Sequence, residues 1–370
     1  MRIHLGHHFY GAGNLGDDFM LAGFLSAMQA LAPTASFTCC VPFPLPPLRH
    51  RFPGIAWFPC DEATRTRCIA ACDVWLGLGG SPFQSALSRW FVDHLRSEAD
   101  LCRAAHKPMF FLGVGVQSAA ELADADILRI CAQSSAIWTR DPASAERLAA
   151  LPSPPPIASA ADLAHIFFRT TPPPPAVPGR LVLVANFDYG AWPGQADCLR
   201  ALRSAAPALS VSERLWLAQE SRDLPGAERA LYGALPPTDQ AQWQLALPDG
   251  PQPGDAVPAR DLATALSRWP SGEWLVTARY HAALAGAWAG SKILLLSTNE
   301  KLRAAARELG CPVLAPDADA ASLSHALHTL AHSTPVSRDR LILAADRATA
   351  ACAAFVRAAR SAVAPGRRTP

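Results

Sequence analysis

The run Leu275-Val276-Thr277-Ala278-Arg279-Tyr280-His281-Ala282-Ala283-Leu284 places a guanidinium and an imidazole one residue apart, where an apolar strand gives way to an Ala-rich helix. In an extended segment that spacing points both side chains the same way. Arg grips a carboxylate or phosphate with paired donors that never lose their charge, and His exchanges a proton near neutral pH. An anion-holding group beside a proton-transfer group, close to a helix N-terminus, is what chemistry on a phosphorylated acid requires. A lone His is more often structural, and the adjoining Arg279 is what makes His281 read as functional. After the next apolar run, Lys301 opens a helix on the same edge. It either adds a second positive charge there or is simply a solvated surface residue.

Other candidates also follow apolar runs. Gly11-Ala12-Gly13-Asn14-Leu15-Gly16-Asp17-Asp18 is a literal G-x-G-x-x-G opening a helix, which could signal a dinucleotide site. No acidic residue ends the following strand, and Asp17 and Asp18 put negative charge where a pyrophosphate would sit. Carboxylates there suit sugar hydroxyls better; equally, Asp17 could only cap the helix and the glycines only make a turn. Gly77-Leu78-Gly79-Gly80-Ser81-Pro82-Phe83-Gln84 and Gly113-Val114-Gly115-Val116-Gln117 are two more glycine-rich strand ends that could present amides to a ligand. In Trp138-Thr139-Arg140-Asp141-Pro142-Ala143-Ser144, Arg140 must pair, with Asp141 for example, or face a ligand, because burying it alone is costly. Ala161-Asp162-Leu163 adds a carboxylate further on.

These residues need strands that end side by side. Apolar runs at Ile3–Phe9, Ser36–Val41, Val74–Leu78, Met109–Leu112 and Ile137–Thr139 alternate with helical patterns at Phe19–Leu31, Leu87–His106 and Leu122–Ala132. Beyond them come strands at Leu181–Asn186, Arg214–Leu217, Gln242–Leu247, Trp274–Thr277 and Ile293–Leu296. Helices are expected at Ala227–Leu235, Leu262–Trp269, His281–Ala289 and Glu300–Leu309, with a long C-terminal one after them. Near-continuous apolar strands alternating with helices predict parallel, doubly wound α/β sheets, in which ligands sit at the carboxyl ends of the strands.

The 370 residues suggest two domains at about 150 residues each. The proline-rich stretch 172–178 is the expected linker between an N-terminal domain 1–171 and a C-terminal domain 179–370, with a cleft between them. Another proline-rich loop is expected from Pro248 to Pro258. Half the residues are apolar, which is enough to build substantial cores and argues against disorder. A net charge of +2 gives no footprint for nucleic acid or an anionic membrane, and no run reaches the ~18 apolar residues of a spanning helix. The start of the chain shows no signal-like segment, so a cytoplasmic, soluble protein is expected. The arginines at 357, 360, 367 and 368 could touch a membrane-held acceptor, a peripheral contact at the inner face, or form a solvated C-terminus. Ten cysteines without a Cys-x-x-Cys pair read as reduced thiols rather than a metal site or disulfide framework.

Taken in order, Tyr10 to Asp18, Gly77 to Gly80, Gly113 to Gly115, Thr139-Arg140-Asp141 with Ser144, Ala161-Asp162, Arg279-Tyr280-His281-Ala282 and Lys301 resemble the polysaccharide pyruvyl transferase family. The resemblance runs over about residues 3 to 310. It implies a GT-B-like arrangement of two Rossmann-like domains, and transfer of a pyruvyl group from phosphoenolpyruvate to saccharide hydroxyls as a ketal. It further implies that Arg279, Arg140 and Lys301 bind the donor, that His281 is the general acid/base, and that Gly13, Asn14, Asp17, Gly79 and Gly80 lie on the acceptor side. The acceptor would be carried on a lipid or nucleotide; neither metal nor cofactor is expected beyond phosphoenolpyruvate as co-substrate. Tyr280, where the family usually has a small aliphatic residue, and Val116-Gln117, where it often has Pro, are departures. Two alternatives remain: a GT-B glycosyltransferase using a nucleotide sugar, and a catalytically silent sugar-binding homologue.

Overall fold

Strand–helix alternation on both sides of residue 170 builds two parallel sheets, seen in a computed structural model that describes residues 1–6, 10, 14–85, 89–185, 209–218, 227–249, 261–297, 299–315 and 318–363. The chain divides into two units. The first comprises the described residues of Met1–Gly11, Asp17–Phe167 and Leu343–Pro370; the second comprises those of Ala12–Gly16 and Phe168–Ile342.

In the first unit the strands are β1 (Arg2–Leu5), β2 (Ser36–Val41), β3 (Ile55–Pro59), β4 (Val74–Leu78), β5 (Met109–Val114), β6 (Ala136–Thr139) and β7 (Ile157–Ser159). They lie in the order β3-β2-β1-β4-β5-β6-β7, every pair parallel. All residues of β4 and β5 are buried, as a parallel strand covered on both faces requires. The helices α1 (Leu15–Leu31), α2 (Leu45–Arg51), α3 (Glu62–Ala71), α4 (Trp90–Ala104), α5 (Ala125–Gln133) and α6 (Pro142–Ala149) supply the cover, followed by α7 (Ala164–Thr170) at the junction. Ile69, Phe91, Val92 and Leu95 pack with Trp75, Phe111 and Ile137 in one core cluster.

The second unit carries β8 (Val177–Val184), β9 (Glu213–Leu217), β10 (Gln244–Ala246), β11 (Gly272–Thr277), β12 (Lys292–Leu296) and β13 (Val313–Leu314), ordered β10-β9-β8-β11-β12-β13 and again parallel. Its helices are α8 (Ala227–Gly233), α9 (Pro237–Gln240), α10 (Leu262–Ser267), α11 (Tyr280–Ala289), α12 (Glu300–Leu309) and α13 (Ala320–His332). Leu181, Trp216, Trp274, Val276 and Leu294 form its core with Leu323, Leu327 and Leu330.

The expected doubly wound fold is observed in both units, with domain limits that differ from 1–171 and 179–370. The boundary falls at Phe167/Phe168. The stretch 172–178 belongs to the second unit, where Ala176 N donates to Ala289 O at 2.8 Å and Val177 begins β8. The last helix, α14 (Arg338–Val363), returns the chain to the first unit from Leu343 onward. There the fully buried Phe355 meets Phe110 at 5.6 Å, Trp138 at 6.3 Å and Phe24 at 6.3 Å. Burying one such ring contributes about 1.5–3 kcal/mol, and a proline-based boundary cannot register it. The predicted ends Phe9 and Asn186, and most of the loop from Pro248 to Pro258, lie outside the described residues.

Nine cysteines are described, all free: Cys39, Cys40, Cys68, Cys72, Cys102, Cys131 and Cys352 are buried, while Cys60 and Cys311 are half-buried. Burial pushes the Cys131 and Cys352 thiols up to about 12, which leaves them chemically quiet. Cys198 lies outside the described residues. Among the described residues no helix is long and apolar enough to cross a membrane, and no group of three or more His, Cys, Asp or Glu could hold a metal ion.

Candidate functional site

In each unit the strand order reverses beside the first strand, between β1 and β4 and between β8 and β11. Such switch points open a crevice at the carboxyl ends of the strands. In the second unit β11 flanks that point, and Arg279 and His281 follow it directly. Their arrangement departs from the extended pair expected from sequence. Arg279 is the last extended residue (φ −113°, ψ 128°), and the helix starts at Tyr280. The i, i+2 rule therefore does not apply to the pair; the helix N-terminus is what gathers them.

That terminus differs from most others in how it is capped. Helices α3, α5, α6, α10, α12 and α13 begin at Asp61, Asp124, Asp141, Asp261, Asn299 and Asp319, each accepting a hydrogen bond from a first-turn amide. Helix α11 begins at Arg279 with no side-chain cap. A cation at this end opposes the helix dipole, and the first-turn amides suit a phosphate or carboxylate. Thr277 fixes the turn: its hydroxyl accepts from Arg279 N at 2.9 Å and donates to Arg279 O at 3.2 Å.

Arg279 is half-buried and His281 only 3% exposed. One edge of the imidazole lies against Gly16, where a Cβ would sit 2.1 Å from Nδ1. Gly16 N in turn donates to Asn14 Oδ1 at 3.1 Å. The Tyr280 ring meets the imidazole edge-on at 5.2 Å between centroids. Lys301 Nζ lies 5.3 Å from the centre of the Tyr280 ring, and Tyr280 OH donates to Glu308 Oε2 at 3.4 Å. The second unit thus brings together Asn14, His281 and Lys301 with the turn that carries Arg279. Asn14 and Gly16 come from the far N-terminal glycine loop; the contact between that loop and His281 could not be read from spacing.

The first unit collects the remaining candidates at the ends of β4, β5 and β6. Gly79, Gly80 and Gly113 have φ of 68°, 70° and 71°, a region that strongly favours glycine. The expectation that these loops offer amides to a ligand needs correcting at two positions. Gly79 N donates to Leu112 O and Gly115 N to Gly80 O, both at 2.8 Å; those donors join the loops to one another. Arg140 is 2% exposed, donates from Nη2 to Ser81 Oγ at 2.9 Å, and has Nε 4.0 Å from Asp141 Oδ2. It lies so close to Gly115 that a Cβ there would be 2.3 Å from Nη2. Asp141 mainly caps α6, accepting from Ser144 N and Oγ, and Ser144 Oγ in turn accepts from Val116 N. The guanidinium clamps three strand-end loops, and both the pairing and the ligand-facing expectations for Arg140 have to allow for that.

Asp18 is buried and ion-paired with Arg51, so it serves the fold, while Asp17 stays half-buried in the first turn of α1. Asp162 is fully buried and its Oδ1 accepts from Ala164 N, at the start of α7. Gly13 lies outside the described residues. Gln117 Nε2 donates to Gln84 Oε1 at 2.9 Å, so a side-chain amide pair joins the ends of β4 and β5. Sequence reasoning missed Ser81, Thr277 and Glu308, all ordinary polar residues with no motif of their own.

No family model and no curated protein matches the chain. Solved structures match it nearly end to end. UDP-N-acetylglucosamine 2-epimerase from Rickettsia bellii is 11% identical with a TM-score of 0.61, covering 98% of this chain and 96% of that one. The ugt transferase from Siraitia grosvenorii, solved with UDP, is 9% identical with a TM-score of 0.54 and coverages of 97% and 99%. Alr3699/HepE from Anabaena, solved with UDP-glucose, is 9% identical with a TM-score of 0.55 and coverages of 98% and 98%. Identities this low show the fold alone: two parallel-sheet α/β domains of the GT-B type.

Proposed function

We propose that the protein is a GT-B-type enzyme of saccharide synthesis that holds an anionic donor in its second unit and uses His281 as general acid/base. The observation that carries this reading is the unusual start of α11. A guanidinium stands where α3, α5, α6, α10, α12 and α13 have a carboxylate or amide; Arg89 stands likewise before α4, but at α11 a buried imidazole follows two residues further on.

Phosphoenolpyruvate is the donor we favour. Its carboxylate and phosphate need cations close together, which Arg279, Lys301 and the first-turn amides of α11 supply. The ordered motifs from Tyr10 to Lys301 support the same reading. So does the state of the carboxylates beside the site: Glu300 is tied to Arg303 and Arg307, and Glu308 accepts from Tyr280. In the reaction, His281 delivers a proton to the donor's methylene carbon while a saccharide hydroxyl oxygen bonds to the neighbouring carbon. The hydroxyl proton returns to the imidazole. Phosphate leaves with its bridging oxygen, and a second hydroxyl bonds to the same carbon, its proton leaving with the phosphate. The products are a carboxyethylidene ketal and inorganic phosphate. Preorganised cations and amides hold the donor's charges throughout.

A second reading is favoured by the solved structures: the neighbours named above are an epimerase of a UDP-sugar and proteins bound to UDP or UDP-glucose, so a nucleotide-sugar donor has the stronger support from fold. Assay of phosphate release from phosphoenolpyruvate, and of UDP release from UDP-sugars, across a panel of glycan acceptors distinguishes the two. Acceptor-dependent phosphate release, reduced about 10²-fold or more in His281→Ala, supports pyruvyl transfer. UDP release with phosphoenolpyruvate inert overturns it.

A further inference from the structure

In the second unit the Tyr280 ring lies against both the Lys301 ammonium and the His281 imidazole. We infer that Tyr280 is a positioning residue that holds the Lys301 ammonium beside Arg279 and His281, making it the second cation of the anion site; this rests on the proposed function above.

The chain is poor in lysine, with only Lys107, Lys292 and Lys301 among 33 basic residues. Both lysines of the second unit lie over aromatic rings: Lys292 is 4.3 Å from the Trp274 ring centre and Lys301 5.3 Å from that of Tyr280. The two lie at opposite ends of β12. Lys292 Nζ also reaches Glu273 at 3.7 Å and Ala331 O at 3.2 Å, at the amino end of β12. Lys301 stands at the opposite, carboxyl end of that strand, in the first turn of α12, where a cation is disfavoured by the helix dipole. A cation kept at that end has an anion or a π face to answer to.

Tyr280 supplies the face and fixes it at two further points. Its hydroxyl donates to Glu308, seven residues from Lys301 and therefore two turns along the same side of α12. Its ring also abuts the His281 imidazole. The side chain is 4% exposed, so its ring has little room to turn. One rigid aromatic ring thereby sets the ammonium and the imidazole at defined distances, with the turn of Arg279 immediately before it in the chain. A small aliphatic residue here would take the ring face away from the four-carbon stem of Lys301 and widen its choice of rotamers.

The test uses the full chain in wild-type, Tyr280→Leu, Tyr280→Phe, Lys301→Ala and Tyr280→Leu/Lys301→Ala forms. Phosphoenolpyruvate affinity is read by calorimetry. The Lys301 environment is read from the NMR resonances of ¹³C-methylated lysines, with Lys292 as internal reference, and the thermal midpoint is recorded for each variant. We expect Tyr280→Leu to weaken phosphoenolpyruvate about five- to tenfold and to move the Lys301 resonance while Lys292 stays in place. Tyr280→Phe keeps the affinity within about twofold, and the double variant binds no more weakly than Lys301→Ala. With a purely structural tyrosine, Tyr280→Leu would lower the thermal midpoint while the Lys301 resonance stayed in place and the losses were additive. An unmoved resonance, unchanged affinity in Tyr280→Leu, or fully additive losses overturn the inference. Absence of phosphoenolpyruvate binding by the wild type counts instead against the donor assigned above; the positioning role then stands or falls on the Lys301 resonance.

Discussion

Gly16 lies against the imidazole of His281, with room for a hydrogen but not for a methyl: a Cβ on Gly16 would meet Nδ1 at 2.1 Å and Cγ at 2.6 Å. Two residues 265 positions apart are thus in contact, and the smallest side chain at one sets the place of the other. Gly16 sits in the first turns of α1 at an ordinary backbone angle, so alanine there costs nothing in conformation and gains up to about 1 kcal/mol in helix propensity. The clash decides the outcome. His281 is buried, and a displacement of about 1 Å in a catalytic group can cost about 10²-fold in rate. Gly16→Ala is therefore expected to lower kcat by one to two orders of magnitude, on the order of 10–10², with a smaller change in donor KM. Steady-state kinetics checks this; full activity would show that His281 does not act from the position described.

Arg140 should respond as a clamp. Lysine keeps the charge but not the planar fork that reaches Ser81 while lying against Gly115. Arg140→Lys is expected to lose about 1–3 kcal/mol of stability, as expected for a buried group left without its hydrogen bonds, while donor affinity changes little. Denaturant titration beside donor calorimetry separates the two effects. Lost donor affinity at unchanged stability would make Arg140 a ligand instead.

Glu300 gives a pH signature. Burial raises its carboxyl, but the hydrogen bonds and charges of Arg307 and Arg303 outweigh this and hold it at about 2, against an ordinary 4.5. A carboxyl depressed on folding contributes stability that is present above its unfolded value and disappears as the pH falls through the folded one. The contribution should fade between pH 4.5 and about 2. Partly exposed pairs of this kind are worth roughly 1 kcal/mol or less. Glu300→Gln is therefore expected to melt slightly below wild type at neutral pH and to converge with it near pH 2. Thermal melts across that range check this, and a constant gap would contradict it.

Much of this was legible in the sequence because parallel strands are apolar throughout. Val74–Leu78 was anticipated with the limits observed, and Glu300–Leu309 likewise, since Asn299 and Gly310 cap it. Strand β3, with an exposed Ala56 and a terminal Pro59, is not among the strands expected from sequence, because an edge strand is covered on part of its surface only. Helix α2 holds two prolines in its first turn, and α3 is rich in Arg and Thr with little apolar stripe; both were missed. For the site, sequence supplied Arg279, His281 and Lys301 as types at strand ends. The contact of Gly16 with His281 and the role of Tyr280 depend on tertiary packing, which spacing does not encode. Phe355 returns the C-terminal helix to the first unit for the same reason.

Direct calorimetric titration of wild type and Arg279→Ala with phosphoenolpyruvate and, separately, with UDP-N-acetylglucosamine bears most closely on the donor. The account predicts that wild type binds phosphoenolpyruvate and that Arg279→Ala binds it at least about tenfold more weakly, the loss of one charge-assisted grip. Binding of the nucleotide sugar alone, or phosphoenolpyruvate binding indifferent to Arg279, would contradict it.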